Sequence, residues 1–263
     1  MKKTYLHAFK VANSSCIVRV AEGDIGKATT DAVVNAANGN SFTRMDGGVS
    51  GALRNACAPE DVVGKDKKCW NDDGQPMPAC RKIETCYAGA QPAGGALKEQ
   101  GVQTIVHAVG PVWSEWPAEM STLDEVRPKI FETVKRALLT AEHSGAASVT
   151  LPAISGGIFT HHSPPDIKEA EQMAAREELV AAIDAHLSPE AADGKRHLVL
   201  SALKEIVLID LPAAHPASRV DLLLKATEEM AATDGSRWSV LSEEDECEAA
   251  EEAAAVAAKR AKT

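Results

Sequence analysis

The sequence has no apolar run approaching the roughly 20 residues that a membrane-spanning helix needs. Its opening, Met1-Lys2-Lys3-Thr4-Tyr5-Leu6-His7, lacks the apolar core of a secretory signal. The six cysteines, Cys16, Cys57, Cys69, Cys80, Cys86 and Cys247, form no Cys-x-x-Cys pair and have no His-x-x-x-His partner. These absences predict reduced thiols in an intracellular protein, cytoplasmic or nuclear, with no metal site. Positive charge is also short, with 28 Lys and Arg against 38 Asp and Glu for a net charge of −10. Non-specific nucleic-acid affinity needs a cationic surplus facing phosphates, so the balance weighs against a general polyanion binder. A single anion held by backbone amides stays allowed. Neither Gly-x-x-x-x-Gly-Lys-Ser/Thr nor Gly-x-Gly-x-x-Gly occurs, which removes two common nucleotide loops.

What is present is an ordinary globular composition, 44% apolar and 25% charged over 263 residues, enough for one substantial core plus an appendage. Short apolar runs bounded by Gly, Asp or Asn recur at Cys16 to Ala21, Ala32 to Asn35, Thr104 to Val109, Val149 to Ile154, Leu198 to Leu203 and Glu205 to Asp210. They do not alternate, so they are expected as strands buried on both faces. Between them, Leu123 to His143 carries Ile130, Val134, Leu138 and Ala141 at helical spacing, with Gly145 as a stop. Asp166 to Leu187 is a second helical stretch, with Asp166 as its cap and Met173, Val180, Ile183 and Leu187 on one stripe. Strands alternating with helices imply an α/β layered fold whose ligands collect at the carboxyl ends of the strands.

Two stretches read as additions. Ala58 to Arg81 is polar and aperiodic, a long surface loop. After Ala213 there is one amphipathic piece, Val220 to Ala231. Then comes an acidic, Ala-rich stretch from Ser242 to Lys262, where Ser242 and Asp245 approximate a capping box and a frayed helix is expected.

Four segments place Gly, Asn or Asp directly after an apolar strand: Gly23-Asp24-Ile25, Asp31-Ala-Val-Val-Asn-Ala-Ala-Asn38 leading into Asp46-Gly-Gly-Val-Ser-Gly-Ala-Leu53, Ile105-Val-His-Ala-Val-Gly-Pro111, and Leu151-Pro-Ala-Ile-Ser-Gly-Gly-Ile-Phe159. Gly47-Gly48 and Gly156-Gly157 are the telling pairs, because consecutive glycine amides can converge on an oxygen anion. Gly51-Ala52-Leu53 opens a helix whose N-terminus would face the same anion. Two such loops suggest the walls of a phosphate or nucleotide cradle. His107, inside an apolar strand, reads as a hydrogen-bonded core histidine rather than a catalytic base, and His161-His162 as a solvated insertion.

In order and spacing these four segments, with Cys86-x-x-Gly89-x-Gln91, resemble the macro domain family over about Ile17 to Asp210. The resemblance implies a three-layer α/β/α fold with a mixed, largely parallel central sheet. The macro domain would occupy residues 1–212, with an insertion at about 58–82, followed by an extension over 213–263. It implies ADP-ribose as ligand, no cofactor, and ADP-ribosylated proteins as partners; the sequence does not give the oligomeric state, for which a monomer is the default expectation. Asp24 and the Ile25 N–H would read adenine. Gly47, Gly48, Val49 and Ser50 on one side, and Ser155, Gly156, Gly157 and Ile158 on the other, would cradle the pyrophosphate. Asn38 and Phe159 would hold the distal ribose, while Asn35 braces the loop.

The hydrolytic MacroD-type branch carries an Asp where this chain has Ser50. A hydroxyl is no carboxylate base near neutral pH, and Asp46 would substitute only if the loop folded differently. Viral members carry Ala at that position and still hydrolyse mono-ADP-ribose. The resemblance therefore implies a hydrolase of mono-ADP-ribosylated Asp or Glu and of O-acetyl-ADP-ribose, with Asn38, Gly48 and Phe159 as catalytic residues and a phosphate-assisted water. A non-catalytic reader of ADP-ribosylated proteins is the alternative.

Overall fold

Val- and Ile-rich strands that do not alternate need cover on both faces, and among the described residues five helices supply it. The computed structural model describes residues 4–37, 47–57, 83–111, 113, 122–157, 165–188, 201–212, 214–215, 218–242 and 245. In chain order the elements are β1 (Thr4–Val11), β2 (Ile17–Glu22), a 3-10 turn (Ile25–Lys27), β3 (Ala32–Ala36), α1 (Gly48–Cys57), β4 (Ala88–Pro92), α2 (Gly95–Glu99), β5 (Thr104–Ala108), α3 (Leu123–His143), β6 (Ser148–Pro152), α4 (Pro165–Leu187), β7 (Glu205–Asp210), α5 (Val220–Ala232) and β8 (Trp238–Val240).

All eight strands form one sheet in the order β4-β5-β3-β6-β7-β2-β1-β8. The central five, β5, β3, β6, β7 and β2, are parallel. β4 on one flank and β1 on the other run antiparallel to them, and β8 pairs antiparallel with β1 at the outer edge. Helices α3, α4 and α5 cover one face, where Ile130, Leu138, Leu179, Ile183 and Leu223 pack on Val18, Val106, Leu151 and Leu208. Helices α1 and α2 cover the other, where Leu53, Cys57 and Leu97 pack on Val33, Ile105 and Ile209. The three-layer arrangement and the mixed, largely parallel sheet match the expectation. No helix among the described residues is long and apolar enough to cross a membrane.

Helix α3 keeps the bounds expected from its stripe. It ends as helices with a left-handed glycine do: Gly145 sits at φ +85°, and the Gly145 and Ala146 amides donate to the Glu142 and Ala141 carbonyls. Other expectations shift. α4 begins at Pro165 rather than after an Asp166 cap, and proline costs nothing at a first helical position whose N–H has no helical partner. α1 begins at Gly48, not Gly51. Leu198–Leu203 is not borne out as a strand in its described part, because Ser201–Leu203 is irregular chain held by a side chain of α3. β1, β4 and β8 were not expected at all. The amphipathic Val220–Ala231 forms α5, and Val220, Leu223, Ala226 and Trp238 belong to the main core. Residues 220–240 are thus continuous with the fold and not an appendage to it. The Ser242–Asp245 box is present, with Ser242 Oγ donating to Asp245 Oδ2 and accepting the Asp245 N–H. The 58–82 insertion, His161-His162 and the rest of the acidic tail lie outside the described residues.

The side chain that anchors Ser201–Leu203 is Glu142, in the last turn of α3. Its carboxylate accepts the Ser201 hydroxyl and the Ala202 N–H, and lies 3.3 Å from Nε2 of His186 on α4. Burial works to raise this carboxyl, but the hydrogen bonds and the His186 charge outweigh it and bring it down to about 2 from an ordinary 4.5. A carboxyl depressed in the folded state contributes stability above its unfolded value and loses it as pH falls towards the folded one. The destabilisation caused by Glu142→Gln, measured by urea unfolding, should therefore shrink steadily as pH falls from about 4.5 towards about 2. A difference that stays constant over that interval would contradict the assignment.

Candidate functional site

Because five parallel strands point the same way, the segments that leave their carboxyl ends gather along one edge of the sheet. In sheet order these are Val109-Gly110-Pro111 after β5, Ala37 and the N-terminus of α1 after β3, Ala153 to Gly157 after β6, Leu211 after β7, and Gly23-Asp24-Ile25 after β2. The described parts of all four sequence motifs meet here.

The first wall is α1. Gly48 opens it at φ +55°, a left-handed value that glycine adopts without penalty. The helix then presents the Gly48, Val49 and Ser50 amides, which have no intrahelical acceptor, to the strand-end side. A three-member polar chain fixes the helix to the sheet. Ser50 Oγ donates to Asn35 Oδ1 at 2.8 Å and reaches the Ala36 carbonyl at 3.4 Å, and Asn35 Nδ2 lies 3.0 Å from His107 Nδ1. An amide NH2 can only donate, so Nδ1 accepts and the ring proton sits on Nε2. Asn35 and His107 are both fully buried, paired in register across β3 and β5. Burial pulls the His107 pKa down to about 4, which keeps the ring neutral at physiological pH. His107 is thus a hydrogen-bonded core histidine and Asn35 a brace, as the sequence suggested. Ser50 differs from expectation in one respect: its hydroxyl turns inward to β3, leaving only its backbone N–H for an anion.

The second wall is the turn Ala153-Ile154-Ser155-Gly156, closed by the Gly156 N–H on the Ala153 carbonyl at 3.3 Å. Ser155 sits at φ +60°, unusual for a residue with a side chain, and is 4% exposed. Its hydroxyl donates to the Pro111 carbonyl at 2.6 Å, and its own carbonyl accepts the Trp113 indole N–H at 2.8 Å. Gly110 lies so close beneath that a Cβ there would stand 2.3 Å from Ser155 Oγ and 2.5 Å from Ile154 Cγ2. The Ser155 hydroxyl is therefore spent on the scaffold, and the Gly156 N–H is shared with the turn.

At the far end, Asp24 caps the 3-10 turn, with Oδ1 accepting the Gly26 N–H at 2.9 Å. Gly26 rests on α1, where a Cβ would lie 3.1 Å from the Ala52 carbonyl, so the Asp24 turn and the first wall are held together. Ile25 packs its side chain beneath α1. Asn38, Ile158, Phe159 and Asp46 lie outside the described residues. Sequence reasoning missed Trp113 and Arg176. The second carried a signal, a lone cation on the apolar side of α4, where charges survive only when paired.

Ser50→Ala would leave Asn35 Oδ1 buried without its donor. We expect a loss of about 1–2 kcal/mol in urea unfolding, the usual cost of an orphaned buried acceptor, while Ser50→Thr should retain most of the stability. An alanine variant as stable as the parent would show that the chain does not hold α1.

Comparison with known proteins agrees with this geometry. A model of the macro domain family matches residues 34–174. An uncharacterised protein of Pyrobaculum aerophilum is 36% identical over 157 residues, covering 60% of this chain and 72% of its own. The O-acetyl-ADP-ribose deacetylase of Salmonella newport is 31% identical over 142 residues, covering 54% and 68%. Among solved structures, the Oceanobacillus iheyensis macrodomain with ADP superposes with a TM-score of 0.59 at 18% identity, covering 87% of this chain and 97% of that one. The Trypanosoma brucei macrodomain in complex with ADP gives 0.53 at 17%, covering 80% and 68%. The match in sequence extends over more than half of the chain, and this protein belongs to the macro domain family.

Proposed function

We propose that this chain binds ADP-ribose without a cofactor and hydrolyses it from ester linkages. The substrates would be mono-ADP-ribosylated Asp and Glu side chains and O-acetyl-ADP-ribose. The observation that carries the reading is the convergence of the α1 N-terminus and the Ser155–Gly157 turn at one sheet edge, with the Asp24 carboxylate beyond them. A relative named for O-acetyl-ADP-ribose deacetylation, 31% identical, supports the same chemistry. Backbone amides bring partial positive charge without Lys or Arg, which is how a chain of net charge −10 can hold a diphosphate.

In this scheme Asp24 accepts the adenine amino group and the Ile25 N–H meets a ring nitrogen. Gly47, Gly48, Val49 and the Ser50 amide face Ser155, Gly156, Gly157 and Ile158 across the diphosphate. Asn38 and Phe159 orient the distal ribose. A water held between the substrate phosphate and the α1 loop adds its oxygen to the anomeric carbon. The bond from that carbon to the side-chain carboxylate breaks, the carboxylate leaves with the electron pair, and the water proton passes to the phosphate. With the acetyl ester the same water adds to the acyl carbon, the bond from that carbon to the ribose oxygen breaks, the ribose oxygen takes the water proton, and the acyl group is released as acetate. Catalysis is then orientation and charge stabilisation, which Ser50 in place of a carboxylate leaves intact.

Ser50 also favours one second reading, a module that recognises ADP-ribosylated proteins without cleaving them. Two variants and one assay decide. Asp24→Ala should weaken ADP-ribose binding by about 1–3 kcal/mol in calorimetry through the lost charged acceptor, whereas Asn38→Ala should lower turnover more than affinity. Parent protein that binds free ADP-ribose yet leaves ester-linked ADP-ribose on a modified protein would leave the recognition module standing and the hydrolase not.

A further inference from the structure

Arg176 lies on the buried side of α4, 2% exposed, beside the fully buried Ala175 and Leu179. A guanidinium in that position persists only with partners, and it has three. Nη2 donates to Asp210 Oδ2 at 2.7 Å, at the end of β7. Nη1 donates to the Gln172 carbonyl at 2.9 Å and lies 3.5 Å from the Gly156 carbonyl. The contact with the turn is close: a Cβ on Gly156 would stand 3.0 Å from Nη1. The preceding carbonyl, of Ser155, is the one held by the Trp113 indole. Two successive peptide oxygens of the turn thus face buried donors. A trans peptide is planar, with its C=O and N–H opposed. An inward Gly156 oxygen therefore turns the Gly157 N–H away from Arg176. Asp210 extends the link, because its Oδ1 accepts the Leu211 and Arg219 amides and its carbonyl accepts the Gly23 N–H beside Asp24.

We infer that Arg176 is a positioning residue for the diphosphate: it holds the Gly156 carbonyl so that the Gly157 N–H is aimed at the ligand. The assignment rests on the ADP-ribose reading given above. Its effect is directional more than electrostatic, since Asp210 matches the charge of Arg176. Lysine would keep the charge but has no planar fork to serve Asp210, Gln172 and Gly156 together.

Nitrogen-15 NMR titration of the parent, Arg176→Lys and Asp210→Asn with ADP-ribose, and with adenosine as a phosphate-free probe, tests it. Affinity for ADP-ribose should fall about tenfold in Arg176→Lys and about threefold in Asp210→Asn, the scale of one charge-assisted hydrogen bond lost or weakened. The Gly157 amide resonance should shift in both, and adenosine affinity should not change. A folded Arg176→Lys that binds ADP-ribose within about twofold of the parent overturns the inference. Equal losses for the two ligands also overturn it, because they mark a role in general packing. If Arg176→Lys does not fold, Asp210→Asn decides by the same comparison. A parent protein that fails to bind ADP-ribose removes the ligand reading and this assignment with it, an outcome distinct from a binding parent and an unaffected variant.

Discussion

A buried hydrogen-bond chain, from His107 through Asn35 to Ser50, is the constraint on which the binding edge depends. Two fully buried polar side chains on adjacent parallel strands have to satisfy each other, since an unmet polar group there costs about 1–3 kcal/mol. Asn35 has donors for His107 and an acceptor left over. Only a donor from above can complete it, and Ser50 of α1 is that donor. The helix therefore cannot slide or roll over the sheet without breaking that bond. Where α1 goes, its N-terminal amides go, and the Asp24 turn follows because Gly26 is in contact with the same helix.

The second wall is held by different means. Its Ser155 sits in the left-handed region, a conformation that costs a side-chain-bearing residue about 1–2 kcal/mol. Such strain survives where several contacts over-determine it. Here the hydroxyl is pinned to Pro111, the carbonyl to Trp113 and the next carbonyl to Arg176, and Gly110 leaves no space below. One wall is positioned by a side-chain chain beneath a helix, the other by donors that capture backbone oxygens. In both, side chains and carbonyl oxygens next to the strand ends are consumed inside the fold.

The legible part of this fold is the part dictated by local pattern. β2, β3, β5, β6 and β7 are buried on both faces, so each reads as a mainly apolar run without alternation, and α3 declares its limits through one stripe and a glycine. The flanks do not. β4, Ala-Gly-Ala-Gln-Pro, has no β-branched residue and is a strand only because β5 offers it an edge. β1 mixes exposed and buried positions without strict alternation, and β8 is three residues long. At the site, the paired glycines and Asp24 could be read as turns because their function is local. Trp113 and Arg176 could not be assigned, since their partners lie 42 and 20 residues away and become neighbours only when the sheet assembles. For Ser50 the sequence showed the missing carboxylate but not the direction of the hydroxyl, which depends on Asn35.

That direction changes what the substitution means. Ser50 Oγ donates to an acceptor, Asn35 Oδ1. A carboxylate built at this position in the same orientation would put acceptor against acceptor in a buried place, and the contact would be repulsive. Relieving it by rotating the Asn35 amide would bring Oδ1 to His107 Nδ1, which now accepts, and the ring would have to carry its proton on the other nitrogen. Serine at position 50, the Asn35 orientation and the His107 tautomer therefore form one consistent set. Introducing an acid here means either re-orienting all three or turning the carboxylate out of the chain towards the strand ends. In the arrangement this sequence specifies, position 50 spends its side chain on holding the helix.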